Sequence, residues 1–186
     1  IGFLYFIVIV LANTVGAISG MGGGVIIKPA FDFIGAHDVG AISFYSATAV
    51  FTMSIISTTT QLTSGRKFNW KIVSWVSAGA VLGGILGNIA FEAFLNWFEN
   101  EDRVQLIQIA LTIVTLLFAF MYTKYNWKNF QFAHVFWYLA CGLVLGFLAS
   151  LLGIGGGPIN VSVLMLLFSL PIKEATVYSI CTIFFS

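Results

Sequence analysis

Two glycine clusters carry the chemistry this chain has to offer. Gly20-Met21-Gly22-Gly23-Gly24 and Gly153-Ile154-Gly155-Gly156-Gly157 are copies of one pattern, 133 residues apart, and each interrupts a long apolar run. Glycine allows positive φ and close approach of the backbone to a ligand. Pro158 follows the second cluster, and proline suits the first turn of a helix. A helix is therefore expected to start at about Pro158, and by the same offset another near Val25. Helix starts carry free N–H groups and partial positive charge, which together make a ready anion site. Gly22, Gly23 and Gly24 with Gly155, Gly156 and Gly157 are the candidate backbone donors. On this reading Gly156→Leu abolishes anion flux and leaves the fold intact.

Polar side chains near the clusters add to this. Tyr45-Ser46 recurs as Tyr178-Ser179 at the same offset, so Ser46 and Ser179 are candidate hydroxyl ligands, ahead of the other hydroxyls between Ser43 and Gln61. Asn160 flanks the second cluster, and Asn13, Thr14, Ser19 and Ser150 are weaker candidates. Lys28 is the single base in the first broken segment. An ion in the membrane is a functional suspect: Lys28 is placed to attract an anion, to pair with Asp32 four residues on, or to snorkel to the interface. Its counterpart in the second copy is Val161, so it belongs to no symmetric pair.

Other chemistries find no residues. His37 and His134 lack Cys or acidic partners at metal-ligand spacing, and His134 and Glu92 read as interfacial. No nucleophile elbow is present, and no Walker lysine follows either cluster. Cys141 and Cys181 lie in apolar runs and read as small buried hydrophobes. The expectation is a protein with no catalytic residues, metal or cofactor.

The elements that must position these groups belong to a membrane protein. The chain is 59% hydrophobic and 8% charged, with mean hydropathy +1.00, where soluble domains carry about 25% charged residues. Its eight basic and seven acidic residues leave no basic surface for nucleic acid. The partners expected are the lipid bilayer, a small anion and a coupling proton or sodium ion; a homo-oligomer is compatible with the sequence.

Spans need about 20 apolar residues. Segment A covers Phe3 to Ile34, broken by the first cluster; B covers Ala41 to Leu62, C Ile72 to Leu95 and D Val104 to Tyr122. A′ covers His134 to Leu170, broken by the second cluster, and B′ begins near Ala175. A′ is too long for one straight crossing, at roughly 55 Å of helix against a hydrocarbon core of about 30 Å. The fold class expected is an all-α polytopic bundle of two internal repeats, residues 1–123 and 124–186, each with a glycine-broken segment. The counterparts of residues 53 to about 123 then belong after residue 186. An even net number of crossings in A makes the copies inverted; a single net crossing makes them parallel. Arg66, Lys67 and Lys71 with Lys124 and Lys128 place the B–C and D–A′ loops in the cytoplasm, opposite Glu99, Glu101 and Asp102. Trp70, Trp97 and Trp127 sit where interfacial anchors belong.

The stretch Gly20 to Pro29 resembles the first half-signature of the TauE/SafE sulfite-exporter family, and Gly153 to Ile159 resembles the second. Ala41 to Thr48, Asn69-Trp70 and Gly79, Gly83, Gly84 and Gly87 are similar to the segments between. The second copy has Ser162 where the first has Pro29, a departure from the family's pattern. The resemblance implies an inner-membrane permease for small sulfur-containing anions such as sulfite, sulfonates or thiosulfate. A secondary transporter with the anion between the two helix starts is the leading expectation. An anion channel filtered by the glycine loops and a non-transporting scaffold are the alternatives.

Overall fold

A computed structural model of the chain describes residues 2–63, 69–98, 101–125, 127 and 129–185, the side chain of Glu101 excepted. All regular structure among them is helical: α1 (Gly2–Ser19), α2 (Gly24–Ile34), α3 (Val39–Thr63), α4 (Trp70–Trp97), α5 (Glu101–Tyr125), α6 (Val135–Leu152), α7 (Pro158–Phe168) and α8 (Ile172–Phe185). Segments A and A′ are thus each a long helix, a glycine break and an 11-residue helix. Helices α2 and α7 are about 16 Å long, too short to cross a bilayer alone. Among the described residues five helices are long and apolar enough to cross: α1, α3, α4, α5 and α6. The expected orienting charges Arg66, Lys67, Glu99 and Lys128 lie outside the described residues. Helix α4, at about 42 Å, ends in exposed Trp70 and Trp97, one for each interface.

The helix boundaries keep the sequence offset. Gly2 and Ser19 bound α1, and Val135 and Leu152, 133 residues later, bound α6; Val39 opens α3, and Ile172 opens α8 at the same spacing. The core has two main clusters. One joins α6, α7 and α8 to α4 through Leu145, Leu164, Cys181 and Val76. The other joins α1, α2 and α3 through Ala12, Ile27, Phe31 and Val50, and takes in Ile183 of α8. Large apolar side chains such as Phe33 and Ile18 stay exposed. In water they would mark an interaction surface; apolar outer faces of this kind are what a bilayer's hydrocarbon solvates.

Lipid gives helices no hydrophobic reason to associate, so close packing must hold them. The seam between α4 and α6 shows how. A Cβ on Gly79, Gly83 or Gly87 would overlap the backbone of Leu139, Leu143 or Phe147, and one on Gly142 or Gly146 would overlap Val76 or Ala80. Glycines at i, i+4 spacing on both helices let the two backbones touch. Gly83→Val is therefore expected to cost roughly 1–3 kcal/mol in denaturant unfolding of the purified protein. Ile85→Val, on the exposed face of the same helix, stays within about 0.5 kcal/mol. Equal stability of the two variants would contradict the seam.

Candidate functional site

Each cluster is a helix stop, a turn and a helix start. Gly20 (φ 73°) and Gly153 (φ 63°) are left-handed and cap the helices before them, with N–H groups donating to Gly16 O at 2.9 Å and Ser150 O at 3.1 Å. A left-handed glycine cap satisfies carbonyls that the helix end leaves free. Gly22 (φ 75°) and Gly155 (φ 61°) make the turn. Gly23 and Gly157 then cap α2 and α7, and Pro158 occupies the first helical position as expected. The copies differ in two ways: Gly156 has φ 104° while its counterpart Gly23 has φ −74°, and α2 starts one position earlier, at Gly24, the counterpart of the extended Gly157.

The two breaks shelter one another reciprocally. A Cβ on Gly20 would overlap Thr176 of α8, and a Cβ on Gly153 would overlap Ser43 of α3, the residue 133 positions before Thr176. Gly155 packs on Val50 of α3; its counterpart Gly22 meets Ile183 of α8, 133 residues after Val50, as well as Val50 itself. Each break is thus covered by the helix that follows the other. Where patch i meets j and j meets i, the contact is isologous and has local two-fold character. Between the breaks there is direct contact: Gly24 lies against the Ile154 carbonyl and Gly157 against Val25.

The open volume lies to one side. A cavity of about 390 Å³ sits between α3, α4 and α6 at the second break, with Ser43, Thr48, Asn88, Ser150, Gly153 and Gly155 among its lining residues. Lys28, only 3% exposed, donates from Nζ to Ser43 Oγ at 2.8 Å. It does not snorkel: its charge is held inside the protein, one hydroxyl away from the cavity wall.

The sequence-derived residues fall into three places. Gly155 lines the cavity, with Gly156 and Gly157 next along the same break and Lys28 reaching the cavity through Ser43. Gly22, Gly23 and Gly24 form the first break, packed against the second. Ser46 and Ser179 are fully buried at the crossing of α3 and α8 with the breaks. Ser179 Oγ donates to the Gly20 carbonyl at 3.0 Å, tying α8 to the first break. Ser46 Oγ and the buried Asn160 Oδ1 have no hydrogen-bond partner in the structure. Asn13 donates to the Ala49 carbonyl at 3.0 Å, so it links α1 to α3, while Thr14 and Ser19 bond back to their own helix. Among the described residues no group of three or more His, Cys, Asp or Glu is placed to hold a metal ion.

Sequence reasoning missed Asn88 in the cavity and the pair Gln105 and Gln108 on α5. Two glutamines three residues apart within an apolar span were the available signal. It also erred on Gly156→Leu. Beyond the positive φ, a Cβ there would lie 2.6 Å from Ile183 Cγ1 and 2.9 Å from Asn160 Nδ2. That substitution strains the fold, so loss of flux in it would not isolate a backbone site.

Comparison with known proteins bears on the whole chain. Residues 5–186 match the family model described as Sulfite exporter TauE/SafE. The chain is 29% identical over 195 residues to "Probable membrane transporter protein YunE" of Bacillus subtilis (strain 168), a match covering 95% of this chain and 71% of that protein. No solved structure matches it.

Two neighbouring glycines separate conformational from steric demand. Gly22 has positive φ but room around it, with Ile183 and Val50 at 3.5 Å from a built Cβ. Gly22→Ala is expected to cost about 1–2 kcal/mol, the left-handed penalty alone. Gly24 is helical, where alanine is intrinsically better, yet its Cβ would enter the Ile154 carbonyl. Gly24→Ala should therefore also destabilise, by roughly 1–3 kcal/mol. A stabilised Gly24→Ala protein in the same unfolding assay would show that the breaks do not touch.

Proposed function

Because the chain belongs to the sulfite exporter TauE/SafE family, we propose that it is a multi-pass secondary transporter for a small sulfur-containing anion of the sulfite, sulfonate or thiosulfate class. The observation that carries this reading is the buried Lys28, whose Nζ donates to Ser43 Oγ on the wall of a cavity where Gly153, Gly155, Asn88 and Ser150 stand among apolar side chains. A small oxyanion needs donors and compensating charge once it leaves water. Lys28 supplies the charge through Ser43. Gly155, Gly156 and Gly157 supply close backbone, with Gly22, Gly23 and Gly24 packed behind them. The unpartnered Ser46 hydroxyl and Asn160 amide become contacts when a break shifts, and Ser179 holds the first break to α8.

Residues 1–123 and 124–186 act as two copies of one unit in this reading. Their recurring helix boundaries and reciprocal glycine packing support it. Rocking of one copy against the other about the crossed breaks would expose the cavity to each side in turn, as in other transporters built on broken helices.

Reconstituted into liposomes, the full-length protein is expected to take up labelled sulfite saturably, with competition by unlabelled sulfonate or thiosulfate. Lys28→Met should raise the half-saturating concentration roughly tenfold or more, the loss of one charge-assisted hydrogen bond. Folded, reconstituted protein that transports none of these anions would overturn the substrate class. Large unitary currents in place of saturable flux would overturn alternating access.

A further inference from the structure

A second cavity, mostly apolar with a few polar groups, lies on the other side of Lys28. It has a volume of about 470 Å³, opens between α2 and α5, and includes Lys28, Asp32, Gln105, Gln108, Thr112 and Ile154 in its lining. Lys28 and Asp32 are its two charged residues, one helical turn apart on α2.

Two acceptors among its lining residues, on Gln108 and Asp32, have no donor among the described residues. Gln108 is 2% exposed, and its Nε2 donates to the Leu151 carbonyl at 2.9 Å. That bond fixes which end of the amide is the acceptor, and its Oε1 has no partner. Asp32 shares the lining with Gln105 and keeps Oδ1 buried and unpartnered among the described residues. Pro29 lies inside α2 and has no N–H to give the Val25 carbonyl, its i−4 acceptor; both residues line the cavity. Ile154 adds a residue of the second glycine break. Buried oxygens left without donors are costly. A carboxylate, an oriented amide oxygen, a hydroxyl and unwound backbone are the ligand set of a hard cation, and transporters with broken helices place coupling ions at such backbone.

We propose that this cavity binds a sodium ion, held by the Asp32 carboxylate and the Gln108 amide oxygen, and that the ion couples to the anion through Lys28. The coupling rests on the anion reading of the first cavity. With both cavities empty, Lys28 and Asp32 compensate one another. A cation on Asp32 takes over that carboxylate and leaves the Lys28 charge to the Ser43 side. An anion at the first cavity then restores balance. Either ion alone leaves a buried charge uncompensated, which is expensive, so cation and anion bind more tightly together than apart. Such linkage is reciprocal.

The test uses full-length protein in nanodiscs, at constant ionic strength with choline replacing sodium, titrated separately with radiolabelled sodium and with labelled sulfite. Saturable sodium binding is expected, lost in both Asp32→Asn and Gln108→Leu. Sodium should tighten sulfite binding roughly fivefold or more in the unmodified protein and leave it unchanged in both variants. Lys28→Met should keep sodium binding while weakening sulfite, a split that misfolding would not produce. Folded unmodified protein that binds no sodium overturns the proposal, as does sodium binding that survives both Asp32→Asn and Gln108→Leu. Tightening that follows pH and ignores sodium assigns the site to a proton and overturns the sodium ion. Sodium binding with no sulfite binding in either medium overturns the anion reading and its coupling, and leaves the cation site standing.

Discussion

Backbone polar groups cannot be left unpaired in lipid, and the rest of this structure answers that constraint. Two helices stop and restart at Gly20–Gly24 and Gly153–Gly157, which frees N–H and C=O groups at four helix ends. Such breaks persist in a membrane only when buried in protein or lining a cavity. Here each break is covered by the helix following the other, and a side-chain hydroxyl, Ser179 on the Gly20 carbonyl, seals one of them. The small residues follow from this. Helices can wrap the breaks closely only where no Cβ intervenes.

Charge obeys the same logic. Lys28 is buried beside the first break, hydrogen-bonded to Ser43 and one turn from Asp32. No second lysine balances it in the other half, where Val161 stands. The second break carries the left-handed Gly153, Gly155 and Gly156 and borders both cavities, through Gly155 on one side and Ile154 on the other. The two breaks thus differ in charge, through Lys28, and in backbone, through Gly156.

Much of this was legible in the sequence. The apolar runs located α3, α4 and α5 to within a few residues, because spans in lipid are set by length and composition. The glycine clusters gave the breaks, and Pro158 gave the start of α7 to the residue, because proline has few places to go. Family membership followed from the same two signatures. What the sequence concealed was partnership. Nothing local reveals that Ser43 meets both Lys28 and Gly153, or that the breaks touch and push the open volume to one side. Gln105 and Gln108 looked like two polar interruptions in an apolar helix, and only the fold brings them to the wall of the cavity that Asp32 also lines. Gly156 shows the limit of reading by analogy. It shares a pattern with Gly23, but its φ of 104° has no counterpart there.

The reciprocal shelter also sets a schedule for biosynthesis. Gly20 is covered by Thr176, which leaves the ribosome 156 residues later. At about 5–20 residues per second, the first break waits roughly 10–30 s for its cover. During that interval α1 and α2 stand in the bilayer with an unsheltered turn between them, and water, lipid headgroups or the insertion machinery must hold its backbone. Helix α8 thus locks a junction made 156 residues before Thr176, and the first break reaches its final surroundings only after the second has been made.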